Sequence, residues 1–135
     1  MLYRTAVAGA TGAALCYYQM QVADPRALLT VGLAHGVASA AGGLVRDGVN
    51  ASSEIGSWAA LAELGVCAGA AYFIGMQPSV NPNYYTGTPM QWAGRAAGSQ
   101  AIGNVVANGF EIGDYFQQVT QPFKSELAYF TTSSK

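Results

Sequence analysis

The stretch ALLTVGLAHGVASAAGGLV, residues 27–45, holds no charged side chain and is bounded by Arg26 and Arg46. As a helix it would rise about 28 Å at about 1.5 Å per residue, close to the thickness of the hydrocarbon layer of a bilayer. Its apolar and small residues do not alternate with polar ones, so a half-buried strand is excluded. Read as a membrane-spanning helix, this window fixes how its neighbours must be read.

On its N-terminal side the link ADPRA, residues 23–27, places Asp24 as a helix N-cap and Pro25 at the first helical position. Before it lies another charge-free window, residues 5–23, so the two helices should form a tight antiparallel pair. On the C-terminal side, RDGVNASSE, residues 46–54, carries a turn signal at Asp47-Gly48 and offers Ser52 or Ser53 as the next cap. A third window, residues 55–76, has Glu63 as its one charge, and Pro78 marks its end.

Beyond it, QPSVNPNYYTGTPMQW, residues 77–92, reads as an irregular aromatic segment suited to the headgroup level. Residues 93–110 form a weaker apolar run, interrupted by Arg95, Gln100, Asn104 and Asn108. The last 25 residues mix aromatics with charge. The sequence therefore predicts an all-α integral membrane protein with three transmembrane helices, a weaker fourth candidate, and small-xxx-small packing. A three-helix domain would occupy residues 1–78, and residues 79–135 would be a partly helical extension docking on partner subunits or the membrane interface.

Composition agrees. Only 10% of residues are charged and 51% are hydrophobic, against a usual charged share of about 25%. A surface so poor in charge suits lipid and the other subunits of a large assembly. Six basic residues against seven acidic ones, without a basic cluster, exclude a nucleic-acid surface. Cys16 and Cys67 lie far apart in apolar runs and read as buried small hydrophobes. The N-terminus lacks the repeated Arg and Ser of a transit peptide.

Small residues recur four apart at Gly9/Ala13, Gly32/Gly36, Gly65/Gly69, Gly94/Gly98 and Gly109/Gly113, a spacing that lets helix backbones approach closely in lipid. Glu63 must be paired, neutral or beside a wet cavity, and pairing with another subunit is the expectation. Arg46 and Asp47 can pair locally. His35, the only histidine, falls mid-window. It either makes a helix-to-helix hydrogen bond or ligates heme iron through a neutral ring nitrogen, with Gly32, Gly36 and Ser39 leaving a groove for a porphyrin edge. No catalytic triad, HExxH, P-loop or GxGxxG occurs, so no self-contained active site is expected.

The segment LLTVGLAHGVASAAGGLVRDGV, residues 28–49, resembles the small membrane-anchor subunit of succinate dehydrogenase, respiratory complex II. That family carries a histidine in its second helix and an aspartate about three turns later, positions matched here by His35 and Asp47. The resemblance implies heme b shared with a second chain and ligated at its metal by His35, with Ser39 on the pocket wall. It also implies Arg46 and Asp47 beside ubiquinone or a heme propionate, and a place in the mitochondrial inner membrane. Gly48 stands where the family has a tyrosine. The helix pattern is also similar to a four-helix inner-membrane family of presequence-translocase channel subunits and a complex I accessory subunit, which requires residues 93–110 as a fourth helix. A further alternative is an accessory subunit of another respiratory or ATP-synthase complex, with packing as its sole role.

Overall fold

A computed structural model describes residues 2–52, 56–109 and 111–133. Among these there are five helices and no strand: α1 (Leu2–Met20), α2 (Pro25–Asn50), α3 (Ala59–Gly75), α4 (Pro89–Asn108) and α5 (Ile112–Ser133). The first link behaves as its residues dictate. Asp24 accepts the Arg26 amide at 3.0 Å and Pro25 opens α2, because proline lacks the amide that the first turn leaves unpaired. The Asp47-Gly48 turn signal is overridden, since α2 continues to Asn50. The extra turn keeps Arg46 on the inner stripe of the helix, where it finds a buried partner. Ser52 caps no helix, the third helix being approached through a 3₁₀ turn at Gly56–Trp58, and Ser53 lies outside the described residues.

The segment after residue 78 is more ordered than its prolines and glycines suggest. Asn81 is fully buried and ties the 76–88 loop together, donating to the Gly75 and Gly87 carbonyls and accepting from the Thr86 amide and hydroxyl. Thr88 and Gln91 then form a reciprocal capping box, with Pro89 at the first position of α4. So α4 starts four residues before the apolar run does, and it ends at Gly109, whose φ of 65° suits a residue without Cβ.

Helices α1 to α4 pack as an up-down-up-down ring in chain order: α1 on α2, α2 on α3, α3 on α4, and α4 back on α1. Residues 89–108, assigned by sequence to the extension, are thus the fourth wall of the bundle. Each seam is closed by a glycine. A Cβ on Gly9 would stand 2.7 Å from the Gly32 carbonyl, one on Gly42 would strike Cys67, one on Gly75 would meet Trp92 at 2.7 Å, and one on Gly103 would meet the Arg4 carbonyl at 3.1 Å. Gly9/Ala13 and Gly32/Gly36 therefore do face each other, whereas Gly65, Gly69, Gly94 and Gly98 point into open space.

Among the described residues two helical stretches, Pro25–Asn50 and Gly56–Gly75, are long and apolar enough to cross a membrane. The distribution of polarity is inverted relative to a water-soluble bundle. Leu29, Leu33, Val37, Leu44 and Phe73 are each more than 60% exposed, while His35, Ser39, Glu63, Arg95, Ser99, Gln100 and Asn104 are buried. Buried apolar positions are mostly alanine, with Cys16 and Cys67 among them as free thiols.

Candidate functional site

The buried polar residues form two clusters at different levels of the bundle. The first surrounds Glu63, one turn into α3 and wholly buried. Its Oε1 accepts from Arg46 Nη1 at 2.9 Å and from Asn104 Nδ2 at 2.7 Å, and its Oε2 accepts from Gln100 Nε2 at 2.9 Å. Arg4 Nη1 stands 3.7 Å from Oε2 and 3.4 Å from the Asn104 side-chain oxygen. Glu63 thus joins α1, α2, α3 and α4. The sequence reading looked for its partner in another subunit, but the chain supplies its own: Arg46 turns inward to Glu63 and not to Asp47, which is exposed.

The cluster also holds α5. Arg46 Nη2 donates to Gln118 at 2.9 Å, and Asn104 donates to the Tyr115 hydroxyl at 3.1 Å. Burial pushes the Tyr115 phenol above its ordinary pKa, with the Asn104 amide partly opposing it. Beside Arg46 a polar cleft of about 310 Å³ opens between α2, the 56–58 turn and α5, lined by Asn50, Ser57, Gln118 and Gln121.

The second cluster surrounds His35. Its Nδ1 lies 3.0 Å from the Val31 carbonyl and its Nε2 lies 3.2 Å from Arg95 Nε. A carbonyl only accepts and a guanidinium only donates, so Nδ1 carries the proton and the Nε2 lone pair receives Arg95. Arg95 also donates to the Thr86 carbonyl at 2.9 Å and to Gln19 at 3.4 Å, and its guanidinium carbon sits 5.6 Å from the Trp92 ring centre. The imidazole fills the space that Gly12 leaves, since a Cβ there would lie 2.7 Å from its Cγ. Ser39 Oγ, Ser99 Oγ and Gln100 Oε1 are buried without a hydrogen-bond partner among the described residues.

These contacts test the heme expectation. Axial ligation needs a free ring-nitrogen lone pair facing a space for the macrocycle. The one lone pair of His35 points at Arg95, the ring is 1% exposed, and Gly12 and Trp92 enclose it. This arrangement does not fit a heme. His35, Ser39 and Arg46 do share the inner stripe of α2, but His35 and Arg46 belong to separate clusters and Asp47 turns away. The residues grouped for ubiquinone do not converge. Among the described residues, no group of three or more His, Cys, Asp or Glu side chains is placed to hold a metal ion.

Arg95, Gln100 and Asn104 are among the site residues to which the sequence alone assigns no role. In the sequence they interrupt the apolar run of residues 93–110. Their signal was the spacing: Arg95 and Ser99 stand four apart on one face of α4, and Gln100 and Asn104 stand four apart on a second face further round the helix.

Compared with known proteins, the chain matches no family model, no curated protein and no solved structure.

Proposed function

We propose that this chain is an integral membrane subunit that crosses the bilayer as a four-helix bundle and serves as a non-catalytic packing element of a larger assembly in the mitochondrial inner membrane. The observation that carries the proposal is the inverted polarity: large apolar side chains outside, four charged residues and their amide partners inside. In water such a bundle would lose the burial that stabilises a soluble core. In lipid it presents a matching perimeter, and each charge is kept from hydrocarbon, where it would cost about 3 kcal/mol or more near a helix centre.

Of the two family resemblances, the four-helix inner-membrane kind is the better supported, because α4 completes the bundle and His35 is committed to Arg95. The assembly partner is a transmembrane helix seated in the groove of about 730 Å³ on the outer side of α1 and α2. Its floor is Gly9, Gly32 and Gly36 and its rim includes Leu29, Leu33 and Val37. Small floor residues let a helix backbone approach where no hydrophobic effect drives association.

The test is alkaline extraction of cell membranes followed by native electrophoresis in mild detergent. The chain should stay in the membrane pellet and migrate in a complex much larger than itself. Gly36→Leu, which fills the groove beside a position with only ordinary contacts to Thr5, should release a folded monomer. Extraction by alkali would refute the membrane reading, and migration of the parent as a monomer would refute the subunit reading. A reduced-minus-oxidised heme signal lost in His35→Ala would restore the electron-transfer anchor.

A further inference from the structure

The C-terminal helix is docked on one side and bare on another, and both sides can be read residue by residue. Tyr115, Gln118 and Pro122 recur at the three- and four-residue spacing of one helix face. Tyr115 and Pro122 are buried, and Tyr115 and Gln118 hydrogen-bond to the bundle. Ile112, Phe116, Val119 and Phe123 form a second stripe, turned about 100° from the first. Along it Ile112 is 78%, Phe116 65% and Phe123 58% exposed. Asp114, Gln117, Gln121 and Lys124 occupy the remaining, exposed side.

The docking partners fix the direction of the helix. Tyr115 meets the end of α4 at Asn104, Gln118 meets the end of α2 at Arg46, and Phe123 stacks edge-on with Trp58 ahead of α3, ring centres 6.3 Å apart. Within about 12 Å of its own length, α5 therefore passes three different helix ends. It lies across the end of the bundle. Its bare stripe is continuous with the perimeter, because Ile112 shares a groove of about 350 Å³ with Ala101, Ile102, Val105 and Val106 on the outer side of α4.

We infer that α5 is an in-plane interfacial helix whose Ile112–Phe116–Val119–Phe123 stripe enters the boundary between lipid headgroups and acyl chains. The inference rests on the membrane reading above. Given that reading, a helix across the bundle end lies parallel to the bilayer surface. Its apolar stripe meets lipid at the level of Trp58 and Arg46, an aromatic ring and a guanidinium of the kind that sit at that depth. Its polar side then faces water.

The test uses the full chain in phosphatidylcholine vesicles, with single thiols introduced as Phe116→Cys, Phe123→Cys, Gln117→Cys and Val37→Cys and labelled with a polarity-sensitive fluorophore. The parent, whose two cysteines are buried, controls for background labelling. Positions 116 and 123 should be quenched about twofold or more by a nitroxide near the headgroup and little by aqueous iodide, with the reverse at 117. Position 37, on the bundle perimeter, should respond most to a nitroxide deep in the acyl chain. If position 37 responds as stated but 116 and 123 are open to iodide, α5 does not enter lipid. Shielding of 116 and 123 from both quenchers would mean that protein covers the stripe and would equally overturn the inference. Failure at position 37 would instead strike the membrane reading itself.

Discussion

Removing the Glu63 carboxylate should be the most damaging single change in this protein. Glu63→Ala leaves Arg46, 13% exposed at its side chain, without its anion, and leaves the Gln100 and Asn104 amides with unmet donors. Breaking a buried ion pair by deleting one partner costs about 3–5 kcal/mol, and each stranded buried donor adds about 1–3 kcal/mol unless it finds water. Because the cluster sits toward the end of the bundle, some rehydration is available. The expected loss is therefore about 3–5 kcal/mol, not the larger sum. Equilibrium unfolding of the full chain in mixed micelles, followed by far-UV circular dichroism, measures it. Arg46→Ala should cost less, since its partner keeps two amide donors, and the double variant should fall short of additivity by about 1–3 kcal/mol. Additive losses within about 0.5 kcal/mol would refute the direct pairing. A loss below about 1 kcal/mol for Glu63→Ala would refute the burial of a multiply hydrogen-bonded carboxylate altogether.

The seams make a contrasting pair. Gly42→Ala puts a Cβ against Cys67 and 2.7 Å from the Glu63 carbonyl and should cost about 1–3 kcal/mol. Gly65→Ala meets nothing within 4 Å and should stabilise the helix by up to about 1 kcal/mol; equal effects in thermal unfolding would contradict the packing. The proposed four spans would put the N-terminus and α5 on one side of the membrane, so protease added to sealed vesicles should cut both or neither; cleavage of one alone would require an odd number of spans. Trp92 is fully buried and Trp58 is 39% exposed, so a lipid nitroxide at the headgroup level should quench the parent's fluorescence but spare that of Trp58→Phe. Tyr115 titrates above its ordinary range because burial disfavours the phenolate. Docking of α5 should therefore be complete below about pH 10 and weaken as pH rises toward and through the raised value. Tyr115→Phe should remove that alkaline step in Trp58 fluorescence.

Much of the fold was legible because long apolar helices announce themselves by the charges they lack. The charge-free windows located α1, α2 and α3, and Asp24-Pro25 placed the start of α2 to the residue. The small-residue spacing pointed to close seams, although only the pairs on α1 and α2 face each other. A spacing says that two glycines share a helix face, not which way that face turns. The end of α2 was misread because Asp47-Gly48 is a local turn signal, whereas the pull of Glu63 on Arg46 comes from a residue 17 positions away. The same limit hid the partners of His35 and Glu63. Arg95, Gln100 and Asn104 count against a helix surrounded by lipid, and they become assets only when the helix has three neighbours to turn them toward. A window average scores α4 by composition and is blind to that choice.

The two clusters also explain how a bundle without a large apolar core keeps one register. Seams of glycine and alanine tolerate sliding, because small side chains offer few knobs to catch. Along α4, Arg95 and Asn104 are nine residues, or about 13 Å, apart. The first must meet His35 of α2 and the second Glu63 of α3. Shifting α4 by one turn, about 5.4 Å, would break both clasps at once and leave a guanidinium and a carboxylate facing hydrocarbon or an empty seam. In water such polar pairs would be weak selectors, since solvent could replace either partner. In lipid the alternatives are unsatisfied charge, so the same pairs discriminate strongly between registers. A uniquely registered four-helix block with an apolar perimeter and an open α1–α2 groove suits the packing role proposed above, and in that block His35 is the contact that sets the level of Arg95.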